Sequence, residues 1–171
     1  MKRALKILLA VLSVAALFTL AACGNKSKSV GSGYDKNGIP TELKKSYTGS
    51  SKVPSYFGFP RNGSTLVFDM KANKLTIKTD DENQKFNLKV IPEKKLNAKN
   101  KGAFKSWKPK VEGKKYFFIE TTFQNQELSP KSSQGYLLLV ILDNNGKNIR
   151  VVEFNQNESS DSWYDFSGKA D

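Results

Sequence analysis

The sequence predicts an all-β domain, an antiparallel β-barrel of about eight strands, with a β-sandwich as the second choice. Runs in which apolar and polar side chains alternate recur from residue 66 onward, and this period of two is typical of strands with one buried face. The segments between the runs are short and polar, as hairpin turns are. Region 39–171 has the length of one such barrel or sandwich, so we expect a single domain there.

The start of this domain is predicted to be less regular than the rest. Pro40, Glu42 and Leu43 predict one or two turns of helix, with the proline near the first helical position. Segment 48–62 contains glycine, serine and two prolines, and it predicts a loop that carries aromatic residues. Loops of this length often carry function.

Three alternating runs, at 66–70, 74–79 and 86–90, predict a three-stranded antiparallel meander, because the segments that join them are short and polar. Segment 92–100 is polar and rich in lysine, and it predicts a loop. The remaining predicted strands are 102–107, 116–123, 136–142, 149–154 and a last strand, or a plug, around 163–166.

The run 136–142, YLLLVIL, is apolar on both faces and predicts a central strand that is covered on both sides. The turn 143–146, DNNG, predicts a hairpin, since Asn and Gly accept positive φ. The alternation along the strands also predicts which side chains point into the barrel. We expect them to include Phe68, Ile77, Leu88, Phe117, Ile119 and Leu138.

The first residues of the chain predict export. Three positive charges in the first six residues precede an apolar run, Ile7–Leu20, and this order is typical of a secretory signal peptide. The run has 14 residues, whereas a stable membrane-spanning helix needs about 20. We therefore expect a cleaved signal peptide at 1–22 rather than a permanent transmembrane helix.

Leu20-Ala21-Ala22-Cys23 resembles the lipobox of bacterial lipoproteins, and Cys23 is the only cysteine in the chain. The resemblance implies transfer of diacylglycerol to the Cys23 thiol, cleavage before Cys23, and a lipid anchor on the outer face of the cell membrane. The alternative is an ordinary signal peptide with an incidental cysteine. Residues 23–38 are rich in Gly, Ser, Lys and Asn and predict the lipidated Cys with a flexible tether.

The opening of the domain, 39–47, IPTELKKSY, is similar to a segment of the small lipocalin-like lipoproteins of Gram-positive bacteria. In that group the segment runs Ile-Pro-x-x-Leu-x-Gly-x-Trp and seals one end of the barrel. Here Lys45 stands in place of the Gly and Tyr47 in place of the Trp. The resemblance favours the barrel over the sandwich and identifies no ligand.

The charge of the chain predicts its partners. It has 28 basic and 16 acidic residues, and the surplus is concentrated between 71 and 115. An exported protein meets lipid headgroups, anionic wall polymers and acidic partners rather than nucleic acid. The alternative is that the lysines merely solvate the surface. The lysines predicted to contact anionic polymer are Lys94, Lys95, Lys99, Lys101, Lys105, Lys108 and Lys110.

The sequence also predicts that the protein is not an enzyme and holds no cofactor or metal. It has no His, the commonest general base and metal ligand, and Cys23 is committed to lipid. We expect Tyr56, Phe57 and Phe59 to form a rim that grips a small apolar ligand at the mouth of the barrel. The alternative is that these rings plug a solid barrel, which would then act as a structural or interaction module.

Overall fold

The computed structural model describes residues 33–52, 58–124, 136–155 and 163–171, and Ser32–Asp171 forms one compact unit. The predicted signal peptide 1–22, the lipidation site Cys23 and the rings of Tyr56 and Phe57 lie outside the described residues. The strands are β1 (Ser46–Ser51), β2 (Ser64–Asp69), β3 (Lys74–Lys78), β4 (Asn83–Ile91), β5 (Lys115–Phe123), β6 (Tyr136–Asp143), β7 (Asn148–Val152) and β8 (Asp165–Ala170).

The eight strands form a closed antiparallel barrel in which each strand pairs with the next along the chain. β8 pairs with β1, in a register that places Gly168 opposite Gly49, and this pairing closes the barrel. The predicted fold class is therefore confirmed, and the sandwich is excluded. The meander of three strands is also confirmed, as β2, β3 and β4.

The barrel interior holds the larger of two apolar cores. Alternate residues of each strand point inward, as the pleat of a β-strand requires. The buried interior side chains include all six that the alternation predicted to face inward: Phe68, Ile77, Leu88, Phe117, Ile119 and Leu138.

The connection between β4 and β5 contains a helix, α1 (Ala98–Trp107), between two 3₁₀ turns at Glu93–Lys95 and Lys108–Val111. The predictions of a loop at 92–100 and a strand at 102–107 were therefore wrong. The Asn97 side chain accepts a hydrogen bond from the Asn100 amide, which satisfies a donor that the first helical turn leaves free. Of the helices that the structure describes, none has the length and apolar character needed to cross a bilayer.

A second apolar core lies on the outer wall, between α1 and the strands β5, β6 and β7. Phe104 and Trp107, three residues apart, lie on the same side of α1 and face the barrel. They join a cluster with the outward side chains of Phe118, Leu139 and Ile141. Strand β6 is thus buried on both faces, which confirms the covered strand predicted from YLLLVIL.

Strand β1 was not predicted, and the helix predicted near Pro40 does not form. Pro40 instead forms an isolated antiparallel bridge with Tyr34, and residues 41–42 form a turn. Ser46–Ser51 pairs with both β2 and β8. The inward positions of β1 hold Tyr47, Gly49 and Ser51, so only one apolar side chain signals the strand. The predicted total of about eight was correct because this missed strand offset the one wrongly placed at 102–107.

The segment 33–45 packs across the end of the barrel at which β1 begins. Ile39 belongs to the interior core, and the Tyr47 hydroxyl accepts a hydrogen bond from the Lys44 amide at 2.9 Å. The Tyr34 hydroxyl accepts another from the Tyr116 amide at 3.1 Å. Residues 33–38 of this segment belong to the stretch that composition predicted as a tether.

Candidate functional site

Phe59, the described member of the predicted ligand rim, lies inside the barrel. Its side chain is buried, and its ring centre lies 5.4 Å from that of Tyr136 and 5.1 Å from that of Tyr164. We call these three rings the aromatic plug. Connections of an up-and-down barrel alternate between its ends, so the plug occupies the end opposite the segment 33–45. Its role in gripping a ligand stays a prediction.

A small void adjoins the aromatic plug inside the barrel. It is too narrow to admit a water molecule, and its walls include Leu75, Ile77, Phe86 and Leu138. Pockets that take small molecules measure about 300–1,000 Å³. In the part of the chain that the structure describes, the barrel interior is therefore filled by side chains.

The Tyr164 hydroxyl is the unusual polar group of this interior. It is fully buried and has no hydrogen-bond partner among the described residues. Burial raises the pKa of Tyr164 far above its usual range, and the neighbouring Tyr136 adds to the increase. The hydroxyl is therefore neutral at any physiological pH, and it remains an unused hydrogen-bond donor beside the void.

The structure brings the seven predicted polymer-contact lysines together in the connection between β4 and β5. We call residues 92–114 the lysine-rich connection, which contains eight lysines and two glutamates. Phe104 and Trp107 hold α1 against the barrel, so the lysines project into solvent. The seven, all exposed, are Lys94, Lys95, Lys99, Lys101, Lys105, Lys108 and Lys110.

Glu93 offsets part of this charge. It lies 3.8 Å from the Lys108 ammonium and accepts a hydrogen bond from the Tyr116 hydroxyl at 3.0 Å. Burial raises the pKa of Tyr116 to about 12, and the hydrogen bond to Glu93 contributes to the increase. The neutral tyrosine thus serves as a donor that keeps the Glu93 carboxylate at the foot of the connection.

A stack of cations and indole rings fixes the far end of the lysine-rich connection to the barrel. The Arg150 guanidinium lies 5.2 Å from the ring centre of Trp107 and 5.9 Å from that of Trp163. It also donates two hydrogen bonds to the buried Asp165 carboxylate, at 2.9 and 3.0 Å. The Lys110 ammonium also lies over the Trp107 ring, 4.3 Å from its centre.

Sequence reasoning missed this stack. Arg150 and Asp165 are 15 residues apart and meet only because β7 pairs with β8. Neither residue belongs to a motif, so the sequence carries no direct signal for the pair. The two tryptophans of the chain were the available signal, because Trp is the aromatic ring that attracts cations best.

A depression of about 510 Å³ lies beside the stack, on the outer face of β7, β8 and β1. Short side chains, Thr48, Ser50 and Ser167, form its floor. A second depression, of about 720 Å³, adjoins it, and the two share Asn148 and Lys169. We call the pair the outer groove. Of the lysines predicted to contact polymer, only Lys110 lines it.

The acidic residues of the described ranges do not form a metal site. The described ranges contain no group of three or more His, Cys, Asp and Glu side chains placed to hold a metal ion. Asp80, Asp81 and Glu82 lie in the turn between β3 and β4, where Arg61 approaches Asp81 at 3.5 Å.

Comparison of the chain with protein-family models, with curated proteins and with solved structures gives no match.

Proposed function

We propose that the protein is an exported, lipid-anchored and non-enzymatic interaction module whose lysine-rich connection docks on an anionic polymer of the cell envelope. One observation carries the proposal: α1 is held to the barrel by apolar side chains while its lysines project together into solvent. A single surface lysine needs no functional explanation. The lysine-rich connection, however, has eight lysines and two glutamates, and this surplus creates a local positive potential.

The anchoring part of the proposal rests on the leader and on the lipobox-like residues that end in Cys23. Ten residues, 23–32, separate the start of the mature chain from Gly33, the first described residue. The eight-stranded barrel and the segment packed across its end suit the resemblance to small lipocalin-like lipoproteins of Gram-positive type. Such an anchor keeps the domain close to the polymers that surround the membrane.

The filled interior favours docking over internal ligand binding. A barrel that carries a ligand needs a cavity, and the void beside the aromatic plug does not admit even a water molecule. A solid barrel is instead a rigid support on which a charged surface keeps its geometry. Electrostatic docking of this kind weakens as salt is added.

The test uses full-length protein in a non-ionic detergent and measures binding to immobilised anionic wall polymer. Reversing Lys99, Lys101 and Lys105 to Glu is expected to lower affinity by about tenfold or more. The matched control reverses Lys74, Lys78 and Lys85, which are exposed on the wall formed by β3 and β4. The control makes the same change in net charge, so an equal loss in both variants would contradict a docking site on α1.

The second candidate function is binding of a small apolar ligand inside the barrel, and the unpartnered Tyr164 hydroxyl beside the void favours it. A ligand in an enlarged void would lie against Phe59 and accept a hydrogen bond from the Tyr164 hydroxyl. Wild-type protein would then take up a fluorescent apolar probe, and Phe59→Ser together with Phe57→Ser would abolish uptake without loss of stability. No uptake by the wild type, with a lower melting temperature in the double variant, would eliminate this candidate.

A further inference from the structure

The outer groove differs from the lysine-rich connection in shape as well as position. Its floor consists of outward-facing positions on β1 and β8 that carry short side chains, including Ser50 and Ser167. Longer side chains, among them Arg150 and Lys169, line the same depression, and together they form a trough over β7, β8 and β1. Because its two depressions share Asn148 and Lys169, the trough is continuous toward the end of the barrel where the segment 33–45 packs.

Positive charge follows the whole length of the outer groove. Lys110, Lys114, Arg150 and Lys169 line the first depression. Lys44, Lys45 and Lys147 add to Lys169 in the second. The cations are thus spread along the trough, which suits a ligand that repeats its negative charge.

Two carboxylates line the same groove, and both are already engaged. Lys114 contacts Asp143 at 2.9 Å, and the Thr48 hydroxyl donates to Asp171 at 2.7 Å. These hydrogen bonds hold the pKa of both carboxyls below their usual value, so both groups are ionised at neutral pH. Seven lining cations therefore exceed these two acids and the buried Asp165 behind Arg150 by four.

The lining groups also indicate the kind of anion. Ser50, Ser167 and Asn148 add hydroxyl and amide donors between the cations, and a phosphate group accepts from several donors at once. Ile141 is buried under α1 and Ile149 points into the barrel, so the carbon stems of the lining lysines, rather than these isoleucines, supply the apolar surface between the donors. A slender chain with a phosphate in each repeat therefore suits cations and donors that are spread along the groove.

We propose that the outer groove binds one linear phosphodiester chain, a polyol-phosphate polymer, in an extended conformation along β8. This inference rests on the proposed function, because it names the class of polymer and the site that holds it. Lys110 and Lys114 belong to both the groove and the lysine-rich connection. A chain in the groove therefore continues onto the lysines of α1, which attract the polymer while the groove orients it.

The experiment measures affinity of the full-length protein, in non-ionic detergent, for a poly(glycerol phosphate) of defined length by isothermal titration calorimetry. Lys147→Glu with Lys169→Glu is expected to lower affinity by about tenfold or more. Ser167→Trp is expected to lower it similarly at unchanged charge, because the indole fills the floor. Its matched control is Thr76→Trp, at an outward position of β3 on another part of the wall.

The outcomes separate the inference from the proposed function. Unchanged affinity in both groove variants, with loss in the Lys99, Lys101 and Lys105 reversal, overturns the groove and leaves docking on α1 intact. Absence of polymer binding by the wild type overturns both. Vesicles containing anionic lipid that bind as tightly as the polymer, and lose binding equally with Ser167→Trp, overturn the phosphodiester chain as the occupant. Retained thermal unfolding midpoints establish that the variants are folded.

Discussion

Two tyrosines in the barrel core differ in the hydrogen bonding of their hydroxyl groups. Tyr47 and Tyr164 are both almost fully buried, and they lie toward opposite ends of the barrel. The Tyr47 hydroxyl accepts a hydrogen bond from the Lys44 amide, whereas that of Tyr164 has no partner among the residues described. A buried polar group without a partner costs about 1–3 kcal/mol. The Tyr164 hydroxyl therefore lowers the free energy of unfolding, whereas the hydrogen-bonded Tyr47 hydroxyl does not.

We therefore expect Tyr164→Phe to raise the free energy of unfolding by about 1 kcal/mol or more, because it removes a desolvated hydroxyl without leaving a cavity. Tyr47→Phe should lower the free energy of unfolding by about 0.5–1.5 kcal/mol, since it deletes a satisfied hydrogen bond. Urea denaturation of the two variants measures both effects. A loss of stability in both would mean that Tyr164 has a hydrogen-bond partner in solution.

The same buried hydroxyl predicts how stability responds to alkali. Burial raises the pKa of Tyr164, and that of Tyr116 rises to about 12, so the folded state holds both protons more tightly than the unfolded chain does. Below the unfolded value, about 10, both states keep the protons and pH has no effect through these groups. Above it only the unfolded chain releases them, so stability falls as pH rises.

We expect the free energy of unfolding to decrease from about pH 10 upward, and to decrease less steeply in Tyr164→Phe than in the wild type. Lysine titration affects both proteins in the same way, so the difference between their slopes isolates Tyr164. Tyr116→Phe should reduce the slope by a smaller amount, because Tyr116 is only half-buried. Parallel slopes for the wild type and Tyr164→Phe would contradict the assignment.

At the scale of elements, α1 and β1 explain where the sequence misled. The run 102–107 is short and precedes a proline, which suits a strand as well as a helix. The deciding features were the Asn97 cap and the spacing of Phe104 and Trp107, whose meaning depends on an apolar outer wall. β1 was missed because its pairing with β2 and β8, rather than the pattern of its own side chains, makes it a strand.

The two candidate sites also differ in whether the sequence alone could predict them. The lysine-rich connection was visible in the sequence, because charge is a property of composition and needs no partner to be recognised. The outer groove was not, because its cations come from four separate parts of the chain and converge only when β8 pairs with β1 and β7. Burial of Phe59 was foreseen only as an alternative, since no local pattern distinguishes a ring at a rim from a ring in a core.

The attachment of α1 to the barrel is open to a direct test. Phe104 is buried, and its ring centre lies 4.9 Å from that of Phe118 and 5.3 Å from that of Tyr116. Phe104→Ala should lower the free energy of unfolding by about 3–5 kcal/mol and weaken polymer binding, because α1 loses its hold on the wall. Lys105→Ala, at the next residue, should change stability by no more than about 0.5 kcal/mol. A comparable loss in both variants would contradict the packing.

At the scale of the whole molecule, we propose that the protein combines a lipid anchor with a solid barrel that carries positive charge on one side. Cys23→Ser should abolish incorporation of labelled fatty acid and leave unprocessed precursor or shed protein, because the serine hydroxyl does not replace the acceptor thiol. Growth with radiolabelled palmitate, followed by fractionation, measures the effect. Wild-type protein that carries no lipid and is found only in the medium would contradict the anchor.

The pairing of β1 with β8 has a consequence for the synthesis and folding of the protein. The Thr48 hydroxyl and the Asp171 carboxylate that meet across this seam are 123 residues apart. A chain that emerges from its N-terminus, at the ribosome or through a translocation channel, cannot close the barrel until its last strand has appeared. Until then β1 and the newest strand are both open edges, able to pair with another chain. A chain whose barrel has not yet closed can pass through a channel in extended form. A chain cut before β8 never closes the barrel and is prone to aggregate.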